Sequence, residues 1–280
     1  SKPLIQGHAA WHCTGEKLVV TSIAATCAFN LAEPGMPTST AHSRPLNPWL
    51  CLGLPLLMMA LLLVLPTTGI DFAITQYFYT PGVGFAGKHS YLLENILHER
   101  AKQAVILLGL LALAGLMASF FYRPWHWLRL PLGYLVLSIS LSSSVVTPLK
   151  VVTGVHCPWD LAEFGGSETF TPLLSARAPT EHPGKCWPGG HASSGFIFFA
   201  LYFVLRDRRP HQAKAALVFD LAFGSLFSIG RVMQGAHFLS HNLWTALFDW
   251  MIALGFYHLL LYHPQPKSSE QVAPQAVPDN

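Results

Sequence analysis

Charge is what this 280-residue chain has least of. Its 17 Lys and Arg and 14 Asp and Glu make up only 11% of the residues, against about 25% in an average soluble domain. So few cations, spread along the chain, exclude the basic stripe of a nucleic-acid binder, and so apolar a composition excludes a disordered protein. Cysteine is scarce too. Cys13, Cys27, Cys51, Cys157 and Cys186 contain no C-x-x-C pair, so the usual zinc and dithiol motifs are missing. No internal repeat is visible, which leaves a transporter built from duplicated halves without support. What the chain has instead is 51% hydrophobic residues, gathered in long charge-free blocks of the kind that cross bilayers.

Crossing about 30 Å of hydrocarbon at 1.5 Å per residue takes roughly 18 or more apolar residues. Segments 49–66, 104–122 and 130–149 meet this cleanly, while 191–205, 215–230 and 243–262 meet it with single polar interruptions. The expected fold is therefore all-α, a six-transmembrane-helix bundle spanning 48–263. An N-terminal extension, 1–47, precedes it, and a Pro-, Gln- and Ser-rich disordered tail, 264–280, follows. The extension lacks the order of a signal peptide, and a natural start near Met36 is expected. Six crossings put both termini on one side. Connections 123–129 and 206–214 carry Arg123, Arg129, Arg206, Arg208, Arg209 and Lys214 against Asp207 alone, which assigns them to the cytoplasm. Segments 67–103, 150–190 and 231–242 then face outward. The outer segment is expected to include an amphipathic surface helix over about 91–103. Trp49, Trp125, Trp127 and Trp244 fall near the ends, where interfacial anchors belong. Asp220 and Asp249, inside two crossings, must face the bundle interior.

The outward side collects the chemistry. Lys150 ends the third crossing, His191 opens the fourth after the turn Pro188-Gly189-Gly190, and Arg231 and His237 lie at the outer end of the fifth. Two cations, backbone N–H groups at a Gly-Gly turn and two imidazoles can hold a phosphate and move a proton. Cys157 and Cys186 share one polar outer segment and can bridge in an oxidising compartment.

These residues resemble the three-part signature of the type 2 phosphatidic-acid phosphatase superfamily, the lipid phosphate phosphatases: K-x6-R-P, P-S-G-H, and S-R-x5-H-x3-D. Here the parts read Lys150, six residues, Cys157-Pro158; then Pro188-Gly189-Gly190-His191; then Gly230-Arg231, five residues, His237, three residues, His241. The resemblance implies an integral membrane phosphatase or phosphotransferase with its site on the periplasmic side of a bacterial-type inner membrane. In it Lys150, Arg231, Gly189 and Gly190 bind phosphate, His237 attacks phosphorus and His191 protonates the leaving oxygen. It implies a membrane lipid phosphate as substrate and no cofactor or metal, and it fixes no oligomeric state.

Four positions depart from the signature: Cys157 for Arg, Gly189 and Gly230 for Ser, and His241 for Asp. Lys185, Arg177 or His156 are candidates to supply the lost guanidinium charge, Lys185 foremost because it lies three residues before Pro188. His241 can orient the ring of His237 but cannot neutralise an imidazolium as a carboxylate does. Either a carboxylate compensates, Asp160 or Glu163 foremost because they follow Pro158 closely, or the activity is narrower and slower than the family norm. A Cys157–Cys186 bridge would tie the end of the first part to the start of the second.

Each residue also has a plainer reading. Lys150 and Arg231 can be snorkelling interfacial cations, His191 a helix-entry residue, and His237 with His241 a polar face or a metal pair at i,i+4 spacing. Trp159, Phe164 and Trp187 read as interface packing before they read as the rim of a lipid opening. Two rival functions remain open: a non-catalytic lipid-phosphate binder or transporter, and a metal-dependent membrane enzyme using His156, His237 and His241.

Overall fold

The structure is a computed structural model that describes residues 43–65, 67–177 and 182–263. The expected start near Met36, most of the extension 1–47 and the tail 264–280 lie outside the described residues.

A π-helical turn, Trp49–Gly53, leads into α1 (Leu54–Val64), and α2 (Thr68–Tyr77) follows a sharp bend. A two-residue hairpin, β1 (Tyr79–Thr80) and β2 (Gly84–Phe85), precedes a π-helical stretch, Leu92–Arg100. That stretch runs without a break into α3 (Ala101–Phe121), where a separate surface helix over 91–103 was expected. A 3₁₀ turn, Arg123–Leu128, reverses the chain into α4 (Arg129–Thr153). After a long irregular segment come α5 (Gly190–Phe196), α6 (Phe199–Leu205), α7 (Pro210–Met233) and α8 (Leu239–Leu260).

Four of these helices, α3, α4, α7 and α8, are long and apolar enough to cross a membrane, and a fifth crossing counts if α1 and α2 form one bent span. The chain is thus of the multi-pass membrane type, with four or five crossings by this measure where six were expected. The shortfall falls on α5 and α6, which together are shorter than a crossing. Around their junction the hydrogen bonds tighten to three-residue spacing, Ala200 N–H to the Ile197 carbonyl at 3.4 Å and Leu201 N–H to that of Phe198 at 2.7 Å.

The pair α5–α6 fills the centre. Phe196, Phe199, Ala200 and Phe203 are buried against Tyr134 of α4 and Ala253, Leu254 and Tyr257 of α8. Gly195 of α5 faces Gly224 of α7 so closely that a Cβ on Gly195 would collide with the Gly224 backbone, the small-residue crossing that membrane helices use where hydrophobicity gives no drive to associate. By contrast α3 leaves Leu107, Leu108, Leu110, Leu111 and Phe120 exposed, as a lipid-facing helix does. Along α4 the buried residues are Tyr134, Ser138, Ser142 and Val146, a four-residue spacing that is one helix face, and the next step along it is Lys150. Asp220 and Asp249 are buried as expected, and Asp249 accepts a hydrogen bond from Ser193 at 3.3 Å. Of the four tryptophans expected at the interface, Trp49, Trp125 and Trp127 are exposed. Trp244 is not an anchor: it is buried edge-on against Trp187, ring centres 5.5 Å apart.

Candidate active site

Lys150 stands one turn before the end of α4, which stops where Gly154 adopts a left-handed conformation and returns its N–H to the Lys150 carbonyl at 3.2 Å. The Lys150 side chain reaches the start of α5, where a Cβ on Gly190 would lie 3.2 Å from Nζ. Lys150 is also within electrostatic reach of Arg231 and His241. The first part of the signature is thereby brought to the second and third.

The second part is stitched onto α8. Gly189 N–H donates to the His241 carbonyl at 3.1 Å, and the Thr245 hydroxyl donates to the carbonyls of Gly189 and His241, each at 3.1 Å. With glycine in place of the family serine at 189, the Asn242 side-chain oxygen sits where a Cβ would be, so a serine there would require that amide to turn. His191 is the second residue of α5, and its side chain lies outside what the structure describes.

Arg231, in the last turn of α7, is only 11% exposed at its side chain. Its Nη1 donates to Gln234 Oε1 at 2.8 Å, Gln234 Nε2 donates to Glu94 Oε2 at 3.0 Å, and that carboxylate oxygen lies 4.0 Å from Nη1. The guanidinium also stands 6.0 Å over the Trp159 ring, while its Nε is buried without a hydrogen-bond partner. Gln234 sits three residues after Arg231, a spacing legible in sequence as a helix neighbour. Glu94 and Trp159 carry no such local signal.

His237 lies on the connection between α7 and α8 and is 2% exposed. The next residue, Phe238, is locked into an aromatic cluster, stacked at 5.3 Å on Phe72 and edge-on to Phe164 and Phe170. Asp71 of α2 accepts the Ser240 N–H at 2.9 Å, satisfying one of the open N–H groups in the first turn of α8. Outer segments distant in sequence thus fix the position of His237.

Both charge-removing departures converge on Cys186. Cys157 and Cys186 form a disulfide, their Cα atoms 5.1 Å apart, so the residue in the family arginine position joins the first part to the segment before the second. His241 hydrogen-bonds the Cys186 backbone, and its Nδ1 is buried without a partner. The ring centres of His237 and His241 are 6.2 Å apart, while Cys186 Sγ lies 3.3 Å from His237 Nδ1. A bridged sulfur can only accept. That contact is therefore a hydrogen bond only in the tautomer that carries the His237 proton on Nδ1.

The remaining candidates are placed differently. Asp160 accepts the Cys157 N–H at 3.0 Å, capping its own turn, and Glu163 is exposed. Lys185 is exposed, His156 faces Glu168 at 3.6 Å, and Arg177 donates to the carbonyls of Thr171, Pro172, Leu173 and Ser175, holding its own loop. Ligand atoms of Cys186, His237 and His241 lie within 4.8 Å of one another. With Cys186 bridged this trio offers two imidazoles and no thiolate, a poor fit to a closed zinc site, which takes four ligands.

A cavity of about 330 Å³ runs from Lys150 and Gly190 down between α3, α4 and α5. Its wall carries Lys102, the hydroxyls of Ser143, Thr147 and Ser194, and the aliphatic Ile106.

Apolar helices of crossing length suggest a multi-pass membrane protein, and two cations and two buried imidazoles gather at one end of it. The family model of the PAP2 superfamily matches residues 131–265, a stretch that takes in all three signature parts and supports membership of that superfamily. Members of that superfamily are phosphatases, and phosphoester hydrolysis is the class of activity that the match supports. Searches among curated proteins and among solved structures returned no match.

Proposed function

We propose that this protein is a metal-independent lipid phosphate phosphatase or phosphotransferase, acting at the periplasmic face of a bacterial-type inner membrane. The observation that carries this reading is the convergence of Lys150, Gly190, Arg231 and His237, from separate stretches of the chain, at one end of an apolar helical bundle. Lys150, Arg231 and the Gly189–Gly190 backbone bind the phosphoryl oxygens and meet the charge that spreads over them in the transition state. His237 Nε2 attacks phosphorus in line as the bond to the leaving oxygen breaks. His191 gives that oxygen a proton, then takes one from the water or acceptor lipid that cleaves the phosphohistidine. The mixed aliphatic and hydroxyl wall of the cavity between α3, α4 and α5 suits the glycerol or first chain carbons of a lipid substrate. Trp187, Trp244 and Phe248 pack together around the second signature part.

The test is purified protein in detergent, offered polyprenyl diphosphate, phosphatidylglycerophosphate, phosphatidic acid and lipid A phosphates, with phosphate release and lipid-to-lipid transfer both followed. Turnover of at least one member, retained in chelator, is the expected result. No turnover by folded protein overturns the enzyme reading in favour of a lipid-phosphate binder, and loss of turnover in chelator overturns metal independence.

A further inference from the structure

At the other end of the bundle lies a second cavity, of about 340 Å³, lined by Arg44, Tyr202, Arg206, Pro210 and Lys214 among others. Lys214 and Arg231 both belong to α7, 17 residues apart, which at 1.5 Å per residue separates this cavity from the candidate active site by about 25 Å. That is close to the thickness of a bilayer's hydrocarbon core. The two cavities therefore open toward opposite membrane surfaces.

Among the described residues, three cations and no carboxylate line this second cavity. Asp207 lies beside it, pairing with Arg206 at 3.7 Å while its Oδ1 accepts the Arg44 backbone N–H at 2.9 Å and its Oδ2 the Tyr257 hydroxyl at 2.6 Å, so the charge for an anion falls to Arg44 and Lys214. Arg206 forms a rigid floor, with Nη1 donating to Tyr257 Oη at 2.8 Å and Nη2 to the Pro45 carbonyl at 3.1 Å. The side chains of Arg44 and Lys214 are exposed at the rim. The first turn of α7, with Pro210 at its start, adds the positive end of a long helix.

We propose that this cavity binds the phosphate headgroup of an anionic membrane lipid. A lipid fits better than a free anion because of what lies below Lys214 on α7. Val218 and Leu221, four and seven residues further along and so on the same face, are 67% and 47% exposed, and Phe219 beside them is 53% exposed. A headgroup held by Arg44 and Lys214 leaves its acyl chains against these residues, while Tyr202 lines the wall. Basic recesses between helix ends are where acidic lipids bind membrane proteins in general. The site acts as a lipid-dependent brace, holding the segment that leads into α1 against the start of α7, and it takes no part in catalysis.

The experiment uses the purified chain in phosphatidylcholine nanodiscs with a photoreactive phosphatidylglycerol probe, the labelled peptides being mapped by mass spectrometry. Labelling is expected in segments 43–46 and 202–218. The double variant Arg44→Gln, Lys214→Gln should weaken probe binding there by about twenty-five-fold, a factor of about five for each cation near a charged membrane surface. Its melting temperature in phosphatidylcholine alone should not change, because neither side chain belongs to the Arg206–Tyr257–Asp207 network. Equal labelling of the double variant, or equal labelling by a phosphatidylcholine probe, overturns the proposal. Displacement of the probe by millimolar inorganic phosphate reassigns the cavity to free anions and overturns it as a lipid site.

Discussion

The two ends of the helical bundle treat buried polarity in opposite ways. Around Arg206 every group has a partner: Tyr257 links Arg206 to Asp207, Asp207 accepts the Arg44 N–H, and Ser43 and His263 exchange hydrogen bonds at 2.9 Å. Toward the Arg231 end several buried groups lack one, as do Ser138, Asp220 and Asp249 in the middle of the bundle. Arg231 Nε, His241 Nδ1, Asn242 Oδ1 and Trp187 Nε1 are all buried without a hydrogen-bond partner. An unmade buried hydrogen bond costs on the order of 1–3 kcal/mol, so such groups persist where something other than stability keeps them. The satisfied end is a clasp that closes the chain on itself, and the unsatisfied end is the one where the proposed function places its ligand. The same contrast separates two arginines near helix ends that look alike in the sequence.

Removing His237 tests the contrast hardest. His237→Ala should lower turnover by at least about a thousandfold, as loss of a nucleophile does, with phosphate-lipid binding and melting temperature kept; retained turnover would break the assignment. Arg206→Met should do the reverse. Removing one partner from a buried charged network is expected to cost about 3 kcal/mol of stability, read as a lower melting temperature, with turnover per folded molecule unchanged. A large loss of turnover in that variant would mean that the two ends are not separable.

Cys157→Ser joins both kinds of effect. Opening a bridge between residues 29 apart in sequence should cost about 3 kcal/mol by chain entropy, and it also frees Cys186 Sγ from its place beside His237 Nδ1. Turnover should fall further than the folded fraction does; a fall in proportion would reduce the bridge to a staple. The mildest test is Glu94→Gln. Glu94 stands beside the arginine that is to receive phosphate, and its charge opposes an incoming dianion. Neutralising it should lower KM by about threefold, the scale of a partly exposed ion pair, with kcat unchanged. A higher KM would show that Glu94 positions Arg231 and does not compete with substrate.

The local part of this architecture is readable from residue order. Long apolar runs, charge-free in α3 and α4 and broken by Asp220 in α7 and Asp249 in α8, mark the crossing-length helices, and Gly154 after Lys150 and the Pro-Gly-Gly turn before His191 are punctuation that any chain must obey. The fourth stretch, 191–205, is ambiguous in residue order because apolarity does not distinguish lipid from protein as the surrounding solvent. Phe196, Phe199 and Phe203 are buried at the centre of the bundle. The aromatic clamp on Phe238 and the Asp71 cap on α8 are likewise invisible in order, since each links segments far apart in the chain, Phe72 and Phe164 with Phe238 and Asp71 with Ser240.

The sequence by itself pointed to the solvent of this protein and to its candidate reactive groups: scarce charge pointed to lipid, and Lys150, Arg231 and His237 stand at their spacings in the chain. It also exposed the four departures from the signature. Only the tertiary structure decided what two of those departures do together, placing the Cys157–Cys186 bridge and the His241 hydrogen bond on one residue beside His237. Spacing along a chain fixes neighbours within a helix turn, whereas a contact between loops and helix ends depends on how the whole bundle packs.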